Sequence, residues 1–514
     1  MKKFILSLSF AGLVTGAFAQ QDPIAMKYAP IISADLAKKH LSIIASDAYE
    51  GRETGKPGAD KAAHYIADEF KSLGLQPIVN GSYFFDVPLS ENSLNVSFSV
   101  NGAASTNGDD FFAYKPAADR TLDVNEIVFV GYGTDTEIAG TDLTGKIVLW
   151  INEDKPEAGK TPNTSFRATP ARALILKNLQ SKSPAIILAA NGGMADLLKK
   201  NKGYITAARL GIKKDAGTEV DKTPGVFWIT TGLADQLVKS SGKTYDALKA
   251  AGANAQTIKA DVKLSYKTIT KDVKAVDVLG YLPGSDPKLK DEVVVISAHY
   301  DHIGLMPEGT KGDRVNNGAD DDGSGTTSIM EIARAFSKAK KDGHGPRRSI
   351  LFLGNVGEEK GLLGSEYYTD HPVIPLANTI TDLNIDMVGR VGTEYIGKAD
   401  SANYVYVIGS GMLSTDLHNV NEKANSTYTK MDLDYKYDDP NDPNSFYTRS
   451  DHYNFAKHGV PIIFYFNGVH ADYHGVGDEV SKINFPLLAK RAQLVFYTAW
   501  DLLNADKRPV VDKK

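Results

Sequence analysis

Val293-Val294-Val295-Ile296-Ser297-Ala298-His299-Tyr300-Asp301 opens as a continuous, largely β-branched run and closes on a histidine and an acid. A run of that length without polar alternation reads as a strand buried on both faces, over 292–298. Towards the C-terminus the period switches repeatedly: 328–339 reads as a helix, 349–353, 380–385 and 461–466 as strands, and 484–505 as a long closing helix. Such alternation predicts an α/β sheet with helices on both faces. Ligands of open sheets of this kind bind beyond the carboxyl ends of the strands, so chemistry is sought just after each one.

Towards the N-terminus the pattern over 33–75 is helical. Asp60-Lys61-Ala62-Ala63-His64-Tyr65-Ile66-Ala67-Asp68-Glu69-Phe70 places apolar residues at helix spacing, with Gly74 just past the end. This predicts an amphipathic helix leading into a strand. From 125 to 262 the texture changes. Ile127-Val128-Phe129-Val130-Gly131-Tyr132-Gly133, Gly145-Lys146-Ile147-Val148-Leu149-Trp150 and Ala185-Ile186-Ile187-Leu188-Ala189 are short strand-like runs between turn residues. They predict a small β-rich module with a helix or two. Through Gly131-Tyr132-Gly133 and Gly145-Lys146-Ile147-Val148-Leu149 it resembles a protease-associated domain.

With 514 residues, two domains or one domain with a large insertion is the expectation. At 42% hydrophobic and 24% charged residues the chain is ordinary globular protein, which argues against disordered, collagen-like and multi-span classes. Basic residues number 58 against 63 acidic, a net charge of −5 with no basic block, so nucleic acid is not an expected partner. Met1-Lys2-Lys3, an apolar run over 4–14 and Ala17-Phe18-Ala19 read together as a secretory signal peptide. A spanning anchor needs about 20 apolar residues, and neither this run nor any later stretch reaches that. The expected product is a soluble protein, exported to the periplasm or the extracellular space. Cysteine is absent, so any metal must be held by histidine and carboxylate.

Five segments carry chemistry. His299-Tyr300-Asp301 ends a strand, where a histidine can bind metal while an acid orients its second ring nitrogen, although a lone His-x-Asp also reads as a surface pair. Gly318-Ala319-Asp320-Asp321-Asp322-Gly323-Ser324-Gly325 sets three consecutive acids before a helix. Buried, they need a cation; solvated, they are a turn; and no glutamate falls where an EF-hand requires one. Glu358-Glu359 follows the strand at 349–353, and adjacent carboxylates leaving a strand point different ways. Asp386 follows the strand at 380–385, and Asp472-Tyr473-His474 follows the one at 461–466. Mixed imidazole and carboxylate sets of this kind suit zinc.

On these motifs, residues 33–88 and 273–503 resemble the co-catalytic di-zinc exopeptidases that include bacterial leucyl aminopeptidases and glutamate carboxypeptidases. The resemblance implies an α/β fold, a zinc-peptidase-like mixed sheet sandwiched by helices, with an inserted β-rich protease-associated domain. The implied division is a signal peptide at 1–19, the peptidase domain in two parts at 20–124 and 263–514, and the insertion at 125–262. It also implies two Zn²⁺ ions per chain: one on His299 and Asp386, the other on Glu359 and His474, with Asp321 bridging and Asp301 behind His299. Three carboxylates and a bridging hydroxide would neutralise the four positive charges. Glu358 is then the general base of an aminopeptidase acting on peptides, and Tyr447, ahead of Ser450-Asp451-His452, an oxyanion donor with Tyr473 as its rival. His302 and His470 read as lying behind the ligands or on the surface, and His452 as packed on its helix. The segment 437–444, rich in turn formers, reads as a mobile loop over the site, with a calcium site as the alternative. The alternatives are a glutaminyl cyclase of the same fold, which typically holds one zinc, and a carboxypeptidase, for which Arg449 is the nearest cation to a motif. A non-catalytic relative of receptor type would lack the zinc ligands, which are all present.

Overall fold

The computed structural model describes residues 21–113, 119–156, 165, 169–213, 223–252, 254–399 and 401–513; the signal-peptide reading of 1–19 lies outside them. The chain forms two units, Met1–Pro88 with Lys274–Lys514, and Leu89–Val273. The second unit extends beyond 125–262 at both ends because two long strands, Phe84–Val100 and Gln256–Leu282, run through its boundaries.

In the first unit the apolar runs form a mixed sheet. Its order is Asp432–Asp434, Tyr404–Ile408, Ile462–Phe466, Thr379–Ile385, Val293–His299, Ser349–Asn355, and then the end of Gln256–Leu282. Val293–His299 lies between two parallel neighbours, in register from Val293↔Ser349 to His299↔Asn355 on one side and reaching Ser297↔Asn384 on the other. Ile462–Phe466 extends the parallel set, with Ile385 opposite Tyr465. All seven residues of Val293–His299 are buried, as a continuous apolar run requires. Because these strands are parallel and in step, His299, Asn355, Ile385 and Phe466 all finish along one edge.

Helices Ala34–Ile44, Pro57–Leu73, Gly323–Lys341 and Phe485–Asn504 pack together, Phe336 meeting Phe496 and Trp500 ring to ring. Tyr368, Phe455 and Val460 join Val293, Val295, Leu351, Leu353 and Ile462 in a separate core. The continuous helical pattern expected over 33–75 is interrupted. Ser33 caps the first helix, and the second starts at Pro57, whose missing N–H and fixed φ suit a first turn. Between them Glu50, Gly51 and Arg52 take left-handed backbone, with φ of 51°, 64° and 49°. Gly74 ends the second helix in the left-handed conformation its position in the sequence suggests.

In the second unit the strands run Gln256–Leu282, Arg120–Phe129, Ile147–Ile151, Ile186–Ala190, Gly225–Ile229 and Phe111–Ala113. Phe98, Phe111, Phe227 and Tyr266 centre one core, and Trp150 with Leu179 another. This unit carries more helix than expected: Pro170–Ser181, Met194–Thr206, Thr231–Val238 and Tyr245–Ala251. Three of the four begin on a threonine whose hydroxyl accepts a backbone N–H, a short-range signal that strand periodicity does not register. Among the described residues no helix is long and apolar enough to cross a membrane.

Candidate active site

The strand edge gathers the acids and histidines of the sequence motifs. His299 closes its strand, fully buried, with Nδ1 donating to the backbone carbonyl of Asp301 at 3.0 Å. Its Nε2 faces the acids, 3.4 Å from Asp321 Oδ1, 3.6 Å from Asp386 Oδ1 and 3.9 Å from Glu358 Oε2. The Asp301 carboxylate turns elsewhere: Oδ2 accepts from Thr54 Oγ1 at 2.6 Å and Oδ1 from the Glu358 N–H at 3.2 Å.

Asp321 sits on the loop before helix Gly323–Lys341, whose N-terminus Asp322 caps by accepting from Gly325 N. Asp478 steadies the same loop, its Oδ2 accepting from the N–H groups of Asp320 and Asp321. While Oδ1 of Asp321 faces His299, Oδ2 lies 3.1 Å from His474 Nε2. That nitrogen is also 3.1 Å from Glu359 Oε2. Asp386, one residue past its strand, offers Oδ1 to the centre while Oδ2 accepts from Ser450 Oγ at 2.7 Å.

Two groups have ligand atoms all within 4.8 Å of one another: His299 with Glu358 and Asp386, and His302 with Asp321 and Glu359. His302 is therefore no surface residue. It is fully buried, with Nδ1 on Glu359 Oε1 at 2.7 Å, and so orients that carboxylate from behind. His470 is buried too, with Nε2 3.2 Å from Asp320 Oδ2. His452 is buried against Phe464, the rings 4.6 Å apart, and Nε2 donates to the Tyr447 carbonyl.

The centre is a set of opposed charges. Burial and the neighbouring Asp321 push Glu359 up, but hydrogen bonds from His302 and His474 outweigh them and hold it at about 2. Burial pulls His474 down, but Asp321 and Glu359 raise it to about 10. Glu358 moves the other way: burial first, then the charges of Glu359 and Asp386, raise its carboxyl well above the usual range.

Tyr447 does not join this cluster. It lines a separate cavity of about 600 Å³ with Met412, His418, Asp438 and Lys513. Within one turn, Phe446–Thr448, successive side chains part: Phe446 lines the cleft at the acids and Tyr447 the other cavity. Tyr473 does line the cleft, its ring stacked on His474 at 3.9 Å and its hydroxyl accepting from Arg449 Nη2 at 3.3 Å. Opposite the acids the wall is apolar, built from Met387, Phe446, Phe464, Phe466 and Val469.

A donor set of imidazoles and carboxylates beyond the carboxyl edge of a mixed sheet suits a metal centre, and together with the chain's relatives it defines a metallo-exopeptidase. Residues 277–499 match the family described as Peptidase family M28. Aminopeptidase YwaD of Bacillus subtilis (strain 168) is 25% identical across 100% of this chain and 97% of its own length. Leucine aminopeptidase 2 of Trichophyton equinum is 24% identical across 97% of this chain and 92% of its own. Among solved structures, the aminopeptidase from Aneurinibacillus sp. strain AM-1 superposes with a TM-score of 0.54 at 21% identity, over 95% of this chain and 97% of that one, a likeness of fold.

Proposed function

We propose that the chain is a two-zinc aminopeptidase that removes N-terminal residues with large apolar side chains from peptides. One observation carries the reading: the two oxygens of Asp321 each face a different histidine and carboxylate pair, at spacings of 3.1–3.6 Å. Donors about 2.0–2.1 Å from a tetrahedral zinc lie roughly 3.3–3.4 Å apart, so both halves have the spacing of an ion's ligands. His299 Nε2 and Asp321 Oδ2 are also buried without a hydrogen-bond partner, a costly state that a cation relieves. His299 and Asp386 would hold one ion, Glu359 and His474 the other, with Asp321 between. When bound, such a pair polarises the scissile carbonyl and lowers the pKa of water lodged against it.

The chain's own groups do the rest. Glu358, farthest from His299 of the three acids around it and with its proton affinity raised by burial, accepts the proton of the attacking water as the carboxylate. As the C–N bond breaks, it returns that proton to the leaving amine. Tyr473 accepts from Arg449, which leaves its own hydroxyl hydrogen free to donate to the developing oxyanion. The wall of Met387, Phe446, Phe464 and Phe466 receives the apolar side chain. The names of the relatives, leucine aminopeptidase and aminopeptidase, support this choice over a cyclase or a carboxypeptidase. The same proposal takes Leu89–Val273 as a protease-associated domain, supported by the Gly131-Tyr132-Gly133 and Gly145-Lys146-Ile147-Val148-Leu149 motifs, and takes the protein as exported, supported by residues 1–19.

The test pairs metal analysis with peptides blocked at one end. The expected outcome is two zinc ions per chain and cleavage only of peptides with a free N-terminus. One zinc with cyclisation of N-terminal glutamine, or cleavage that requires a free C-terminus, would overturn it.

A further inference from the structure

Arg52 is fully buried on the interrupted stretch between the two N-terminal helices, and its four hydrogen bonds all go to backbone carbonyls. Nε donates to Tyr300 at 2.8 Å, Nη1 to Ile44 at 2.9 Å and Asn317 at 2.6 Å, and Nη2 to Gly318 at 2.8 Å. Tyr300 follows the ligand His299, and Asn317 and Gly318 precede Asp321. One rigid guanidinium fork thus ties two ligand-bearing loops together.

Its neighbours extend the tie. The Arg52 carbonyl accepts from His302 N, and Gly51's from Gly304 N. Thr54 Oγ1 donates to Asp301, and Glu53 takes Lys360 at 2.9 Å, directly after Glu358-Glu359. Residues 51–54 therefore touch the segments that follow His299, precede Asp321 and follow Glu359. The backbone is strained for the purpose: a non-glycine at φ 49° persists only where its surroundings over-determine it. At Gly51 a Cβ would fall 2.5 Å from the Asn316 carbonyl and 2.7 Å from that of Gly304, so the approach itself requires glycine.

We infer that Arg52, with Thr54 beside it, is a positioning residue of the metal centre that pre-sets the His299 and Asp321 loops for zinc. Its charge alone is not the device. Burial disfavours the cation, and Asp322, Asp321, Asp478 and Asp301 only partly offset that cost, yet its hydrogen bonds to Tyr300, Asn317 and Gly318 fix loop backbone. Lysine in its place keeps the charge but has no planar fork to span both loops. The inference rests on the two-zinc reading.

The decisive measurement is zinc affinity, by competition with a chelator, alongside the denaturant stability of the zinc-free protein. A residue that only stabilises the fold lowers the stability of both forms equally and leaves zinc affinity unchanged. For Arg52→Lys the expected weakening is about ten- to a hundredfold, the range for groups that orient ligands, and for Thr54→Val about tenfold. Wild-type affinity in Arg52→Lys overturns the inference. If Arg52→Lys does not fold, Thr54→Val decides: weakened affinity at unchanged zinc-free stability supports it, and unchanged affinity overturns it. A wild-type chain that binds no zinc sinks the functional reading itself, an outcome distinct from a variant that binds as tightly as wild type.

Discussion

Glu358 and Glu359 are neighbours in sequence, yet their surroundings drive their carboxyls apart, one well above the usual range and one to about 2. Two acids held in opposite states fit two roles, proton carrier and ligand. Glu358→Gln is expected to keep its zinc and lower kcat by at least about a hundredfold, within the roughly 10²–10⁴ that positioned acid–base groups supply. Glu359→Gln is expected to lose zinc; metal analysis of the two side by side checks the assignment, and the reverse pattern would exchange the roles. Tyr473→Phe is expected to reduce kcat by about a hundredfold with little change in KM, as loss of one oxyanion donor does. Tyr447→Phe, in the other cavity, is expected to stay within about threefold, and steady-state kinetics on one peptide separates the two. At this scale residue types and strand ends were legible, because His299 and Asp386 stand at the ends of buried apolar strands, whereas Asp321 precedes a helix. The direction of a side chain within the Phe446–Thr448 turn was not, since no periodicity governs a single turn. Nor was buried Arg52, whose partners are carbonyls and leave no pattern in sequence.

Among the elements, the short helix His452–Lys457 ties fold to cleft, for His452 stacks on Phe464 of the apolar wall. Burial pushes its imidazole down to about 3, against about 6.5 in an unfolded chain. With the folded value depressed, its contribution to stability is complete above about pH 6.5 and is lost as pH falls towards 3, where only the unfolded chain takes the proton. The slope in that window is about 1.4 kcal/mol per pH unit for one group. Unfolding free energies of zinc-free wild type and His452→Phe, followed from pH 7 to 4, are expected to converge with that slope; parallel curves would exclude the effect. The strands at 349–355 and 379–385 were legible because parallel strands buried on both faces demand unbroken apolar runs. The break at 45–56 was harder to see: Pro57 announces a helix start, but the left-handed turn before it answers to the loops it must touch.

Across the whole molecule, every candidate ligand belongs to the first unit, and each unit has cores of its own. The chain leaves and re-enters the first unit at adjacent points. Leu279 N donates to the Tyr83 carbonyl at 2.8 Å, and the strand from Phe84 pairs with the strand that ends at Leu282. Pro88 and Lys274 therefore lie near one another on paired strands, and a two-residue Asn-Gly hairpin turn is suited to joining them. A chain with 89–273 replaced by that turn is expected to unfold cooperatively and to bind zinc at the full-length stoichiometry, because no ligand or brace residue has been removed. If the second unit forms part of the substrate's surroundings, the truncated enzyme's relative kcat/KM for long and short peptides will shift while the apolar first-residue preference proposed for the wall of Met387, Phe446 and Phe464 persists. Metal analysis and a peptide-length series read both effects. Loss of zinc would show that the first unit does not hold its centre alone, and identical length dependence would leave the second unit without a part in choosing substrates.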